Sequence, residues 1–260
     1  MTVLWGYDKG DEMSGWKGAD NIGALRELLL TAVPFAVLTG GLWFWIDMPL
    51  GSLVVPISGY VLLAWLILTR VEGQRGLGPA NRVTFYRALG VVVLVSVLAE
   101  PQVLVRLQWA WVILALAVLI LDGLDGHLAR RFGVSSVFGA RFDMEVDAAL
   151  ILTLCLGVWM LGITGAWVLL LGVMRYLFVA AGWVWRWVNH PLPESFRRKT
   201  ICVWQIASLV IVLVPVTPSW LAVWILAPAL VLLAYSFTVD LAWLYRAGGQ
   251  HETHGHGTET

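Results

Sequence analysis

Asp122 and Asp125 open, and Asp143 and Asp147 close, the stretch DGLDGHLARRFGVSSVFGARFDMEVD in a chain that is otherwise mostly apolar. Residues three or four apart share a helix face, so each pair presents two carboxylates side by side. Ionised groups near hydrocarbon are costly and mark function. Four facing carboxylates repel one another unless cations lie between them. An all-oxygen donor set without His or Cys suits Mg²⁺ or Mn²⁺ better than zinc. Two such ions, roughly 3.5–4 Å apart, are a recurring device for displacement at phosphorus. Acidic residues at helix ends are often merely solvated, and Asp143 near a helix start would also suit the helix dipole. That reading covers one or two of the four but not both matched pairs.

The residues between the pairs add to this chemistry. Gly126 and Ala129 clear a small-residue surface that a bulky group can approach closely. Arg130 places a fixed cation one turn beyond Asp125, suited to a phosphate oxygen. Gly139 lets the following helix start tightly against the turn. The expected geometry is a hairpin of two antiparallel neighbouring helices with both acidic pairs at similar depth.

The elements that carry this hairpin are membrane helices. The chain has 260 residues, is 59% hydrophobic and contains 16 tryptophans, with 17 basic and 17 acidic residues in formal balance. Apolar runs at about 24–46, 51–69, 83–100, 107–129, 140–161, 165–188, 200–217 and 219–245 are each near the roughly 20 residues needed to span a bilayer. The fold class is therefore all-α, a polytopic membrane helix bundle. The N-terminal segment carries Asp8, Lys9, Asp11, Glu12, Lys17 and Asp20 ahead of any apolar run, which argues against a cleavable signal. If the helices alternate, 16 of the 17 Lys and Arg residues fall on one side and only Arg106 opposite. By the positive-inside rule both termini and the acidic hairpin face the cytoplasm, as in a bacterial-type cytoplasmic membrane.

The connector Arg70 to Asn81 (RVEGQRGLGPAN) separates two apolar runs from the remaining six. We divide the chain into a polar N-terminal segment with two accessory transmembrane helices (1–75), a six-helix core (76–246) and a disordered polar tail (247–260). Cys155 and Cys202 have no partner at ligand spacing and are read as packing residues. His251, His254 and His256 of the tail receive no role.

Asp122, Asp125, Gly126, Ala129, Arg130, Gly139, Asp143 and Asp147 together spell DxxDGxxAR, eight residues, then GxxxDxxxD. This pattern resembles the signature of the CDP-alcohol phosphotransferase (CDP-alcohol phosphatidyltransferase) family at every position, and the resemblance covers the six helices from about residue 80. It implies transfer of a phospho-substituted group from a CDP-linked donor to an alcohol, with release of CMP and two metal ions in a cytoplasm-facing cavity. It implies Asp122, Asp125 and Asp143 as metal ligands and Asp147 as both ligand and general base. The nucleotide would lie against Gly126 and Ala129, with its diphosphate near Arg130, while Ser136 touches the donor from the turn. The segment NRVTFYR, with Asn81, Thr84 and Arg87, resembles the start of the family's first core helix, where donor contacts lie. Asn81 taken alone also fits an N-cap.

On the acceptor side, Arg175 lies inside an apolar run and should face a cavity, and Arg197, Arg198 and Lys199 begin the next helix. Together they suit an acceptor carrying its own phosphate, as in branches of the family that use glycerol 3-phosphate or inositol phosphate. The run SFRRKT shares the basic character and the Lys-Thr of the glycerophosphate branch but lacks its glycine. Basic residues at a helix end also serve topology and lipid headgroups. The leading expectation is a phosphatidyl transfer from CDP-diacylglycerol to a phosphorylated polyol, in a homodimer among membrane lipids and with no nucleic-acid partner. One alternative is a transferase using CDP-choline or CDP-ethanolamine with diacylglycerol as acceptor. A more distant one is a divalent-ion transporter, which requires polar residues to continue across the membrane.

Overall fold

In hydrocarbon a backbone must satisfy its own hydrogen bonds, which leaves helices for apolar runs of this length. The computed structural model describes residues 22–70, 78–132, 137–189 and 195–254. Within them the helices are α1 (Ile22–Ile46), α2 (Val54–Arg70), α3 (Gly78–Leu98), α4 (Pro101–Arg106), α5 (Gln108–Phe132), α6 (Val137–Met160), α7 (Leu169–Val184), α8 (Phe196–Leu213) and α9 (Ser219–His254), joined in part by short 3-10 turns. No strand occurs among the described residues.

Each of the eight apolar runs is a helix, and five stretches are long and apolar enough to cross a membrane: Gly23–Ile46, Leu50–Thr69, Asn81–Leu98, Ala166–Val184 and Ser219–Arg246. In α5 the apolar part is the shorter Gln108–Gly123. Charges interrupt α6 (Arg141, Asp143, Glu145, Asp147) and α8 (Arg197, Arg198, Lys199), and Asp143, Glu145, Asp147, Arg197 and Arg198 form the ion pairs described below. The chain is an all-α integral membrane protein.

Two boundaries differ from the sequence reading. The link after the third run holds a separate helix, α4, started by Pro101 at its first turn, where a missing N–H and a preset φ are tolerated. The last helix continues to His254, although a disordered tail was expected from residue 247. No proline follows Pro228, and Gln, His and Glu carry the helix on; residues 255–260 lie outside the described residues.

The third difference concerns the hairpin. The expectation was that α5 and α6 lie directly side by side. Instead α3 packs closely against both, and α5 and α6 make few direct contacts among the described residues. Gly90 permits the α3–α5 approach, since a Cβ there would lie 2.5 Å from Val118 Cγ2. Trp111 spans from α5 to the other two helices: its indole N–H donates to the Leu94 carbonyl of α3 at 3.0 Å, and its ring lies where a Cβ on Gly157 of α6 would be.

Polar ties at one end fasten α1 to α3 and to α2. Arg82 donates from Nη2 and Nε to the two Glu27 carboxylate oxygens at 2.5 and 3.1 Å. The Tyr60 hydroxyl donates to the Leu28 carbonyl at 2.5 Å and sits 3.0 Å from Thr31 Oγ1. At the other end, Asp47 turns the chain with φ 60°, and Trp43 Nε1 donates to Ser52 Oγ at 2.6 Å.

Candidate active site

Three helices converge on one guanidinium. Arg87 of α3 has no exposed side-chain surface, and its Nη1 meets Asp143 Oδ1 of α6 at 2.5 Å. Its Nη2 lies 2.8 Å from Asp122 Oδ1 of α5 and also bonds Asp147 Oδ1 of α6. Asp143 and Asp147 are four apart, one helical turn, so both point the same way. Asp143 is the seventh residue of α6, too far along to serve the helix dipole, which acts within the first turn.

Ligand oxygens of Asp122, Asp143 and Asp147 lie within 4.8 Å of one another. Among the described residues, three carboxylates face one guanidinium at this point. Hard oxygen donors that converge in this way fit a divalent cation of the Mg²⁺ or Mn²⁺ type. Asp125, Gly126, Ala129 and Arg130 belong to α5, but their side chains lie outside the described residues, as does Ser136 altogether.

The donor residues expected on α3 separate into different roles. Thr84 is buried one turn before Arg87, on the same face, and Asn81 is half-buried. Because α3 begins at Gly78, Asn81 is inside the helix and not its N-cap. Arg87, expected to bind the donor, is ion-paired with three aspartates. The sequence reading missed this because the partners lie 35 to 60 residues away, beyond any local periodicity. Gly139 is buried on α6 one turn before Asp143.

The acceptor residues are also partnered. Arg175 Nη2 of α7 meets Glu145 Oε1 of α6 at 2.6 Å. Arg197 donates from Nη2 to Asp240 Oδ1 at 2.5 Å and from Nη1 to the Ser236 carbonyl at 2.9 Å. Arg198 Nη1 lies 3.5 Å from the same Asp240 oxygen. A cavity of about 300 Å³ is lined by Arg175, Arg198, Cys202, Gln205, Ser236 and Asp240, among others. Arg197 is not among its lining residues and Lys199 is exposed, so the structure gathers two of the four expected cations into one cavity. Arg175 also keeps a buried Nε–H with no acceptor among the described residues.

Glu145 and Asp240 were passed over in the sequence, and Cys202, read as packing, lines this cavity. Asp240 carried a usable signal: a lone carboxylate in the apolar run SFTVDLAW is the kind of intramembrane charge that needs a named partner. Farther along α3 and α6 from the aspartates, Leu94, Leu98, Leu150, Leu154 and Val158 are buried, while Ser96 and Thr153 donate back to their own helices. Among the described residues no polar path continues there, as an ion transporter would need.

Replacing Arg87 by Met leaves three carboxylates facing one another. Breaking a fully buried ion pair costs about 3–5 kcal/mol, and the loss here is smaller because the aspartates are 34%, 37% and 32% exposed. Arg87→Met should therefore melt several degrees lower than the wild type in chelator, measured by thermal denaturation in detergent. Added Mn²⁺ should restore more of that loss in the variant than it adds to the wild type.

Comparison with known proteins agrees with the geometry. The family model described as CDP-alcohol phosphatidyltransferase matches residues 78–239, from the first residue of α3 into α9, leaving α1 and α2 outside. Two proteins named probable phosphatidylglycerophosphate synthase, from two strains of Mycobacterium tuberculosis, are each 32% identical over 132 residues. That region is 50% of this chain, and the chain spans 63% of the length of each relative. No solved structure gives a significant match. With α3, α5 and α6 bringing three of the four signature aspartates, Asp122, Asp143 and Asp147, together inside the matched region, the chain belongs to the CDP-alcohol phosphatidyltransferase family.

Proposed function

We propose that this chain makes a phospholipid by moving the phosphatidyl group of CDP-diacylglycerol to a hydroxyl of a phosphorylated polyol, with CMP as the other product. The observation that carries this reading is the aspartate cluster on α5 and α6, with a cavity on the α7, α8 and α9 side of α6 that holds Arg175 and its unsatisfied Nε–H. Arg175 and Arg198 line that cavity with Asp240, which Arg197 also pairs with, and Glu145 pairs with Arg175, so three guanidiniums stand against two carboxylates. The net positive charge suits the anionic phosphate of such an acceptor. A diacylglycerol acceptor would have no use for it.

Asp122, Asp125, Asp143 and Asp147 would hold two Mg²⁺ or Mn²⁺ ions. When bound, such ions supply Lewis acidity and neutralise charge on the diphosphate. The remaining work falls to the chain. Arg87 holds three carboxylates in one place through charge-assisted hydrogen bonds. Arg175 and Arg198 orient the acceptor's phosphate so that its hydroxyl reaches the donor phosphorus. As the new P–O bond forms and the bond to CMP breaks, the hydroxyl proton passes to Asp147. Arg87 occupies Oδ1 of that residue, so Oδ2 is the accepting atom. Gly126, Ala129, Arg130 and Ser136 complete the donor side, together with Asn81, Thr84 and Gly139.

The distribution of basic residues supports a cytoplasmic site and cytoplasmic termini. The start of the family match at residue 78 supports a six-helix catalytic core over 76–246 preceded by accessory helices. Family resemblance supports a homodimer.

The direct assay incubates purified protein with Mg²⁺, labelled CDP-diacylglycerol and a panel of acceptors, following CMP and the lipid product. Phosphorylated polyols should be used; turnover only with diacylglycerol and a CDP-linked amino alcohol would replace this reading by the alternative one. In the same assay Asp147→Asn should lose about 10²–10⁴ in turnover while remaining folded, and near-normal activity would remove it as the base. Arg175→Ala should raise KM for the phosphorylated acceptor about 10–100-fold, the worth of one charged hydrogen bond, with little change for the CDP donor. Equal effects on both substrates would remove Arg175 from the acceptor site.

A further inference from the structure

On the opposite flank of α6 from the acceptor cavity lies a larger one, of about 650 Å³, with walls from α2, α3, α6 and α7. It exists because α2 follows α3 but stands off from α6 and α7 among the described residues. Gly59 sets the α2–α3 approach: a Cβ there would lie 2.7 Å from Val92 Cγ1. One wall is a helical stripe on α3, Ala88, Val91, Val92 and Val95, and another is Phe142, Val146 and Ala149 on α6. Leu63 faces them from α2. The volume falls within the range of about 300–1,000 Å³ typical of ligand pockets.

The position of the groove identifies its occupant. Ala88 follows Arg87 directly, and Phe142 precedes Asp143, so the groove begins beside the aspartate cluster. From Ala88 to Val95 it runs about 10 Å along α3 at 1.5 Å per residue. Glu145, ion-paired with Arg175, and Tyr176 are the polar groups on its α6 and α7 walls. A void of this size in hydrocarbon forfeits dispersion contacts on all its walls, and an apolar cavity takes an apolar guest.

We propose that accessory helix α2 closes a groove that holds one acyl chain of the CDP-linked lipid donor. The inference rests on the transferase reading above and deepens it. A lipid whose phosphorus is at the aspartates finds this groove as its adjoining hydrocarbon slot, and without α2 the groove is an open face of α3 and α6. The accessory pair thereby contributes to donor binding without touching the reacting atoms.

The test uses full-length protein in lipid nanodiscs and a CDP-diacylglycerol analogue with a diazirine on one acyl chain. After irradiation, adducts mapped by mass spectrometry should fall on the α2 and α3 walls, at residues such as Leu63 and Val92. Excess unlabelled CDP-diacylglycerol should suppress them, and an equal excess of phosphatidylglycerol should not. Adducts elsewhere, or equal suppression by phosphatidylglycerol, would overturn the proposal, the latter by making the groove a bulk-lipid site. As a second measurement, Leu63→Trp should raise KM for a long-chain donor about tenfold, the equivalent of two buried methylenes, and leave a dihexanoyl donor unaffected. Unchanged long-chain KM would also overturn it. Groove adducts without CMP release by the wild type would sink the transferase reading instead, and CMP release without groove adducts would sink only the groove.

Discussion

A guanidinium with no exposed side-chain surface, gripped by carboxylates from two other helices, sets the terms for this end of the bundle. Neither sign of charge could be placed there alone, because an unpaired ion in a low-dielectric surround costs several kcal/mol even after relaxation. Arg87 therefore draws α5 and α6 to α3, and α3 becomes the helix that both pack against. Small residues make this possible, with Gly90 admitting Val118 one turn beyond Arg87. Among the described residues three carboxylates share one cation there, a donor set that suits a hard divalent ion.

A second layer of ion pairs lies on the other flank of α6. Glu145 with Arg175, and Asp240 with Arg197 and Arg198, hold basic groups in place while leaving them in excess. The result is a division of labour along a single helix. The face of α6 with Asp143 and Asp147 is suited to a cation, the flank toward α8 and α9 to an anion, and the flank toward α2 to hydrocarbon. The proposed donor, a lipid-linked diphosphate, and the proposed acceptor, a phosphorylated alcohol, need three such environments within reach of one another.

Much of this was legible in the chain. The apolar runs placed the eight long helices, because length and hydrophobicity decide spans with little help from tertiary context. The spacing of Asp143 and Asp147 put both carboxylates on one face, because i, i+4 geometry is local. What escaped depended on contacts between distant segments. The three aspartates around Arg87 were not legible, since nothing near it in sequence points to them. Among the described residues α5 and α6 meet less than their short connector suggests, because a connector predicts adjacency but not a third helix that packs against both. Asp240 was visible and overlooked, while the groove beside α2 arises from how far two helices stand apart, which no residue type encodes.

The central claim is that the aspartates of α5 and α6 hold divalent cations in a setting organised by Arg87. Titration of purified protein with Mn²⁺, followed by electron paramagnetic resonance of the free ion, tests it most directly. The account predicts saturable uptake of two ions per chain, displaced by Mg²⁺ and abolished in Asp122→Asn with Asp143→Asn. Absence of saturable uptake, or uptake unchanged in that double variant, would contradict it.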